Sequence, residues 1–212
     1  MQYIRLKTTR GMRLTEEKET LFITLYAKAL DSRLKHSILR DTTAYDLLNT
    51  IEYDFMELKG EKNNLTVVRA KQYDDWTTEF IRAQANAVVV YLGCGLDTRN
   101  SRINPSSHIR WFDVDYPEVI KLREAFYSEK NGYQMIGLSL IDRTWLEKIP
   151  NDRPTLIITE GVLEYLTPED VKILLNRLTD YFKHGEVILD ILSSFAVTSA
   201  KKKFKSTKKQ LF

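Results

Sequence analysis

A pair of glycines follows one apolar run of the sequence, and a pair of aspartates ends the next apolar run. Gly93 and Gly95 come directly after the run AVVVYL, and Asp113 and Asp115 lie 20 and 22 residues beyond Gly93. Glycines at the end of a strand let a ligand approach the backbone where a Cβ atom would collide. A carboxylate at the end of the next strand is placed to accept hydrogen bonds from ribose hydroxyls. This spacing indicates a binding site for a nucleoside-containing cofactor.

The same glycines also bear on the choice of cofactor. A dinucleotide fingerprint of the form G-x-G-x-x-G would need a glycine at position 98, where the sequence has Thr98. The third glycine serves the close packing that a bound pyrophosphate requires. S-adenosylmethionine (SAM) carries no phosphate, so the pattern favours SAM over a nicotinamide or flavin cofactor. A purely structural turn is the third interpretation.

Further polar residues follow the apolar run TLIIT, in the segment EGVLEYLTPED. Glu160 comes directly after that run, and we expect its carboxylate to face the ligand crevice rather than solvent. Glu164 and Tyr165 are candidates for a general base at the mouth of the site, although a tyrosine after an apolar residue, like Tyr165, is more often a packing residue. Methyl transfer requires alignment of the acceptor and no metal; an ionised carboxylate acceptor needs no base, whereas a hydroxyl can need one. No catalytic residue is assigned from the sequence.

Alternating strands and helices must position these residues. The first 86 residues show helical spacing of apolar residues, near 14–30, 41–51 and 65–85, with Asp41 as a capping residue. Beyond them, short apolar runs alternate with helix-like stretches, two of which open with proline. This alternation predicts an α/β fold with a parallel sheet and helices on both faces. The predicted strands are 87–92, 109–114, 133–140, 155–159 and 187–192, and the predicted helices between them are 117–130, 142–148 and 168–183.

Composition excludes several other classes of protein. The chain has 212 residues, a net charge of +3 and a single cysteine, which fits neither a nucleic-acid partner nor a disulfide framework. Apolar runs are too short to span a membrane, and the N-terminus lacks a signal peptide, so a cytoplasmic protein is expected. The three histidines have no metal-ligand spacing, and the lysines at 201–209 are interpreted as a solvated face. The tryptophans Trp76, Trp111 and Trp145 are expected in the core.

Four segments of the chain together resemble the leucine carboxyl methyltransferase family, and in particular its bacterial branch of small-molecule O-methyltransferases. They are ETLFITLYAKALDSR (19–33), LGCGLDTR (92–99), WFDVDYPEVIKLR (111–123) and TEGVLEYLTPED (159–170). The resemblance runs from about residue 15 to residue 195. It implies a Rossmann-like class I SAM-dependent methyltransferase sheet at 87–212. Residues 1–86 would be an N-terminal helical extension contributing to the cofactor and substrate site.

The resemblance implies roles for single residues of the cofactor pocket. Arg69 resembles the arginine that pairs with the methionine carboxylate of SAM, and Lys28 falls near a basic residue that serves the same end of the ligand. Gly93 would contact the SAM amino-acid moiety or ribose through its backbone. Asp115, rather than Asp113, matches the ribose-binding acid.

At the other positions the match is looser. Glu160 matches an acid near the methionine amino group or the substrate. Near the adenine, the family often has an acid before a leucine, where this chain has Ser139 and Leu140. Serine can still donate or accept a hydrogen bond there.

The family also continues through two further strands beyond the fifth, and these are expected to be missing from this chain, which ends at Phe212. The resemblance implies a SAM-dependent O-methyltransferase acting on a small-molecule carboxylate or hydroxyl. A SAM-binding protein without turnover is the alternative, followed by a methyltransferase acting on a protein C-terminal leucine. The small molecule is favoured because ETLFITLYAKAL is closer to the bacterial branch. The acceptor and the oligomeric state stay open.

Overall fold

The computed structural model describes residues 3–6, 9–13, 16–52, 55 and 64–193. Short 3₁₀ helices at Arg143–Lys148 and Leu163–Tyr165 accompany the longer elements. The strands and α-helices, in chain order, are β1 (Tyr3–Leu6), β2 (Thr9–Arg13), α1 (Glu16–Ser32), α2 (Thr42–Thr50), β3 (Ile51–Glu52), α3 (Asn64–Ala83), β4 (Val88–Leu92), α4 (Arg99–Ile103), β5 (Arg110–Asp115), α5 (Pro117–Arg123), β6 (Tyr133–Gly137), β7 (Thr155–Thr159), α6 (Pro168–Tyr181) and β8 (Gly185–Leu189).

The main sheet has five strands in the order β6-β5-β4-β7-β8, and every neighbouring pair is parallel. The chain therefore builds outward from β4 in one direction through β5 and β6, and then in the other through β7 and β8. The carboxyl ends of β4, β5 and β7 meet where the direction of building reverses. In open α/β sheets this is the place where ligands bind. The predicted α/β class and parallel sheet are confirmed.

The central strand β4 is buried on both faces, as its unbroken apolar sequence predicts. Alternate side chains point to opposite faces, so Val88 and Val90 join one buried cluster while Val89 and Tyr91 join another. α6 and the 3₁₀ helix at 143–148 cover the first face. α3 and α5 cover the second face. A third buried cluster joins α1 and α2 to the segment that follows β4.

The N-terminal part contains strands that the sequence patterns did not predict. β1, β2 and β3 form a small antiparallel sheet in the order β2-β1-β3. The helices of this part agree with the prediction, and the Asp41 carboxylate caps α2 by accepting from the Ala44 N–H at 3.0 Å. The division of the chain near residue 86 stays a prediction. No helix in the described ranges is long and apolar enough to cross a bilayer.

Val68, Gln72, Trp76 and Phe80 are spaced by four in the sequence, which predicts that they share the buried face of α3, but of these four only Phe80 is buried. Trp76 is 44% exposed and Val68 is 52% exposed, whereas Ala70 and Tyr73 are buried. A stripe of residues spaced by four drifts around a helix of 3.6 residues per turn by about 40° at each step. Trp76 was therefore wrongly assigned to the core, while Trp111 and Trp145 are fully buried as expected.

Three further elements end earlier than expected, and the first of them is β6, which stops at Gly137 rather than at residue 140. α5 stops at Arg123, well before residue 130, and the chain continues in turns bonded to the Arg123 carbonyl. β8 covers Gly185–Leu189 rather than 187–192. Asp190 follows the end of the strand, and its carboxylate accepts from the Gly161 N–H at 2.9 Å.

Candidate active site

One pocket opens at the carboxyl ends of β4, β5 and β7, between the sheet and helices α1 and α3. Residues from both the N-terminal helices and the sheet domain therefore share its wall. Ser139 is not among the lining residues, and its hydroxyl accepts a long contact of 3.4 Å from the Ile141 N–H instead. The other residues expected in a cofactor site all line the pocket, namely Lys28, Arg69, Gly93, Asp115, Leu140 and Glu160.

The glycine loop after β4 forms the pocket floor, and its backbone geometry explains Gly93. Gly93 has a φ of 64°, in the left-handed region that favours glycine. A Cβ atom at this position would lie 2.4 Å from the Val162 Cγ2 atom. Only glycine lets the loop after β4 and the loop after β7 approach this closely.

The two aspartates of β5 have different surroundings. Asp115 lines the pocket, and its carboxylate accepts from the Gly95 N–H at 2.8 Å and the Tyr116 N–H at 2.7 Å. Burial raises the pKa of the Asp115 carboxyl, although these two N–H groups oppose the shift. Asp113 lies away from the pocket and accepts from the Trp111 indole, the Tyr133 hydroxyl and the Arg123 guanidinium. Asp115 is therefore the aspartate available to a pocket ligand.

Arg69 on α3 enters the pocket from the helical side. Its Nε donates to Glu160 Oε1 at 3.0 Å and its Nη1 to Asp190 Oδ2 at 2.8 Å, and a third of its side chain is exposed. Burial opposes the charge, but Glu160 and Asp190 raise the pKa of the Arg69 guanidinium. The guanidinium packs against Gly161, whose Cβ would lie 3.2 Å from Nη2. These contacts fix the charged, planar guanidinium of Arg69 at the pocket wall.

Glu160 links two arginines at the end of β7. In addition to Arg69, it accepts from the Arg99 Nη2 at 2.5 Å. Burial alone would raise the pKa of the Glu160 carboxyl, but Lys28 and Arg99 lower it below its usual range. An ionised carboxylate therefore lies at the pocket wall, as the position of Glu160 after the strand suggested.

Lys28 on α1 reaches the pocket as part of a buried network of charges. Its ammonium lies 3.0 Å from the Asp97 Oδ1 atom, and both side chains are nearly inaccessible. Arg99 donates to Asp74 on α3, and Arg102 donates to Asp41, Asp74 and Asp97. We call this network the ionic cluster; its members are Lys28, Asp41, Asp74, Asp97, Arg99, Arg102 and Glu160.

The ionic cluster ties the helical part to the sheet domain beneath the pocket. The Arg99 side chain is completely buried and lies over the rings of Tyr73 and Tyr91. Burial opposes ionisation of Asp97, but Arg102, Lys28 and Arg99 lower its pKa well below the usual range. The sequence predicted no role for Asp97 and Arg99, although both lie in the segment LGCGLDTR. Their position in this motif was the available signal, because charged residues that closely follow a glycine loop lie near the ligand of that loop.

The mouth of the pocket is formed by a short 3₁₀ helix and by the facing part of α1. Glu164 and Tyr165 lie on the 3₁₀ helix Leu163–Tyr165, and both line the pocket. The Tyr165 hydroxyl donates to the Thr20 Oγ1 atom on α1 at 3.3 Å, across the opening. We use pocket mouth for Thr20, Glu164 and Tyr165. Both residues named as base candidates are therefore brought to the site, at its solvent end.

The sheet order, the glycine loop and the Asp115 carboxylate at the end of the next strand are together typical of a doubly wound nucleoside-binding domain. The comparisons identify its class more closely. A model of the leucine carboxyl methyltransferase family matches residues 21–179. The chain belongs to the leucine carboxyl methyltransferase family, and it is a SAM-dependent methyltransferase.

Named relatives agree with this assignment. The chain is 38% identical over 192 residues to the tetracenomycin polyketide synthesis O-methyltransferase TcmP of Streptomyces glaucescens, covering 90% of this chain and 71% of that protein. It is 31% identical over 204 residues to the S-adenosyl-L-methionine-dependent methyltransferase dpfgK of Gibberella zeae, covering 86% and 68%. Among solved structures, the N-methyltransferase NodS from Bradyrhizobium japonicum in complex with S-adenosylhomocysteine matches with a TM-score of 0.41, 13% identity, and 78% and 71% coverage.

Proposed function

We propose that this methyltransferase transfers the methyl group of SAM to an oxygen atom of a small molecule, either a carboxylate or a hydroxyl. The observation that supports the proposal is that Arg69, Asp115 and Glu160 line one pocket together with the glycine loop. The oxygen acceptor is supported by the 38% identity to TcmP, whose name describes polyketide O-methylation.

In this proposal one side of the pocket holds the methionine end of SAM. Arg69 would pair with the methionine carboxylate, because a planar guanidinium matches a carboxylate in a two-pronged hydrogen bond. Its exposed third provides the surface for this contact. Lys28 would add positive charge at the same end. Glu160 is ionised and would accept from the methionine ammonium group.

The opposite side of the pocket would hold the nucleoside. The Asp115 carboxylate would accept from the ribose hydroxyls, and Gly93 would let the ligand rest against the backbone. Leu140 lies in the pocket wall after β6 and would pack against the adenine. Ser139 precedes Leu140, and its hydroxyl would need to rotate away from the Ile141 N–H in order to hydrogen-bond the adenine.

Bound SAM would supply an electrophilic methyl group on a sulfonium. The task of this chain is to align the acceptor oxygen with that methyl group and to exclude water. α1 and α3 would contribute Lys28 and Arg69 to the cofactor site, which gives residues 1–86 a direct part in binding. The pocket mouth would admit the acceptor.

The proposal is tested by methyl transfer from tritiated SAM to matched acceptors. The panel contains 2-naphthol, 2-naphthoate and a peptide that ends in leucine, and alkali treatment distinguishes labile methyl esters from stable ethers. We expect label in a small molecule, loss of transfer in Arg69→Ala, and no loss in the exposed control Arg82→Ala.

The other outcomes identify the alternatives. Label in the peptide alone would favour a protein C-terminal leucine as the acceptor. SAM binding with no transfer to any acceptor, including an extract of small metabolites, would favour a binding protein without turnover.

A further inference from the structure

We propose that Asp190 is a positioning residue of the cofactor site, where it holds the Arg69 guanidinium in the orientation that binds the methionine carboxylate of SAM. Asp190 directly follows β8, at one edge of the main sheet. It is not among the described residues that line the pocket, so it acts on the ligand through Arg69 and not by contact. This role rests on the proposed function, in which Arg69 pairs with that carboxylate.

Both carboxylate oxygens of Asp190 are engaged, and each holds a different part of the pocket wall. Its Oδ2 accepts from the Arg69 Nη1 at 2.8 Å, and its Oδ1 accepts from the Gly161 N–H at 2.9 Å. Gly161 in turn packs against the Arg69 guanidinium, since a Cβ atom there would lie 3.2 Å from Nη2. One side chain therefore fixes the loop after β7 and the arginine of α3 relative to each other.

A second carboxylate holds Arg69 from another side. The Glu160 Oε1 accepts from the Arg69 Nε at 3.0 Å, and Glu160 is itself held by the buried Arg99. The Arg69 side chain is a third exposed, and an arginine with that much freedom would sample many rotamers if only one of its nitrogen atoms were held. Ordering a side chain on binding costs affinity, so a guanidinium that is already fixed binds its ligand more tightly.

The two ion pairs leave Arg69 able to bind an anion. A guanidinium has five N–H donors, and the described residues occupy one at Nε and one at Nη1, so that three remain. A ligand carboxylate can accept from Nη1 and Nη2 together. The negative charge of Asp190 opposes the same ligand. Removal of that charge therefore has opposite expected results: weaker SAM binding if Asp190 positions Arg69, and tighter binding if Asp190 only repels the carboxylate.

The first test compares Asp190→Asn with Asp180→Asn, an exposed control on α6. Asparagine keeps an oxygen for the Gly161 N–H but offers no carboxylate to Arg69. Calorimetry measures the binding of S-adenosylhomocysteine and of 5′-methylthioadenosine, which has the same nucleoside but lacks the methionine carboxylate and ammonium groups. We expect Asp190→Asn to weaken binding of S-adenosylhomocysteine by about 3- to 10-fold, the contribution of one hydrogen bond, and to leave that of 5′-methylthioadenosine unchanged. The control should match the parent chain for both ligands.

A purely structural role for Asp190 would give a different result. Equal losses for the two ligands would indicate a general disturbance of the pocket and would overturn the proposal. Unchanged or tighter binding of S-adenosylhomocysteine in Asp190→Asn would overturn it as well. If circular dichroism shows that Asp190→Asn is unfolded, Asp190→Ser takes its place in the same comparison, because the serine hydroxyl can still accept from the Gly161 N–H.

A second measurement places Asp190→Asn in the Arg69→Ala background, and it decides the matter if 5′-methylthioadenosine binds too weakly to measure. Because Asp190 acts through Arg69, its substitution should not weaken binding of S-adenosylhomocysteine further once Arg69 is removed. A further loss as large as in the parent background would overturn the proposal. Failure of the parent chain to bind SAM or S-adenosylhomocysteine would instead remove the proposed function itself.

Discussion

The floor of the pocket and its mouth lie within one cavity, yet their charges are held in different ways. Beneath the floor, the ionic cluster pairs every acid with a base, and Arg99 is completely buried among Asp74, Asp97 and Glu160. At the mouth, Glu164 is partly exposed and has no ion pair among the described residues, and the Tyr165 hydroxyl makes a long hydrogen bond to Thr20 Oγ1. The ionic cluster under the floor is a fixed structural joint, whereas the Glu164 carboxylate at the mouth lies outside it.

This difference assigns separate tasks to the two regions. Buried ion pairs are costly to desolvate and add little net stability, but removing one partner leaves an uncompensated charge. The ionic cluster therefore fixes the relative positions of α1, α3 and the glycine loop. The side chains at the mouth lie outside that network and can change with the acceptor without disturbing it. Substitutions in the floor should affect folding, and substitutions at the mouth should affect turnover.

The largest effect is expected for Arg99→Met. The substitution keeps much of the side-chain volume but removes one buried partner from both Asp74 and Glu160, which keep only Arg102 and Arg69 respectively among the described residues. We expect a loss of about 3–5 kcal/mol in the free energy of unfolding, measured by urea denaturation. Arg82→Met, on the exposed end of α3, is the matched control and should change it by less than about 0.5 kcal/mol. Equal losses in the two variants would remove the distinction between floor and surface.

A smaller effect is expected for Gly93→Ala. Gly93 lies in the pocket floor and packs against Val162, which directly precedes the 3₁₀ helix of the pocket mouth. The new methyl group would meet Val162, and alanine would be forced into the left-handed region, at a cost of about 1–3 kcal/mol. Urea denaturation and SAM titration should both report the change. Gly185→Ala is the control, because a Cβ atom there has ordinary room at 3.4 Å from the nearest atom. A Gly93→Ala variant as stable as the parent, with unchanged SAM affinity, would contradict the packing described for this loop.

The smallest effect is expected from acidification. The pKa values of Asp97 and Glu160 are lowered, so their contribution to stability is present above their unfolded values and is lost only as pH falls through the lower folded values. The pKa of Asp115 is raised, so its carboxylate is protonated first.

As the pH is lowered, SAM affinity should therefore fall before the chain unfolds. Calorimetry and circular dichroism over one pH series would measure the two transitions. Unfolding at a higher pH than the loss of SAM binding would contradict this order.

Local pattern was enough to predict the sheet and one side of the site. Strand β4, the glycine loop and Asp115 follow each other within short distances along the chain. The apolar run indicates a buried strand, the glycines a close approach of a ligand, and the aspartate a hydrogen-bond acceptor. The same is true of Asp41, which caps α2 three residues before its hydrogen-bond donor.

Pairings between distant segments could not be predicted in this way. Asp41, Asp74 and Arg102 meet in the ionic cluster although 61 residues separate the first from the last. Asp190 reaches Arg69 over a separation of 121 residues. The spacing of apolar residues along α3 also predicted the wrong buried face. Tryptophan is usually a core residue, but Trp76 is exposed, because tertiary packing decides which side of the helix is covered.

The account depends most on SAM binding beside Arg69. Calorimetric titration of the chain with SAM, S-adenosylhomocysteine and NAD, repeated for Arg69→Ala and Arg82→Ala, tests this directly. Hydrogen bonds to charged groups contribute about 1.5–3 kcal/mol, so Arg69→Ala should weaken SAM binding by about 10- to 100-fold. Arg82→Ala should bind like the parent, NAD should not bind, and circular dichroism should show that both variants are folded. Unchanged SAM affinity in a folded Arg69→Ala variant would contradict the proposed orientation of the cofactor.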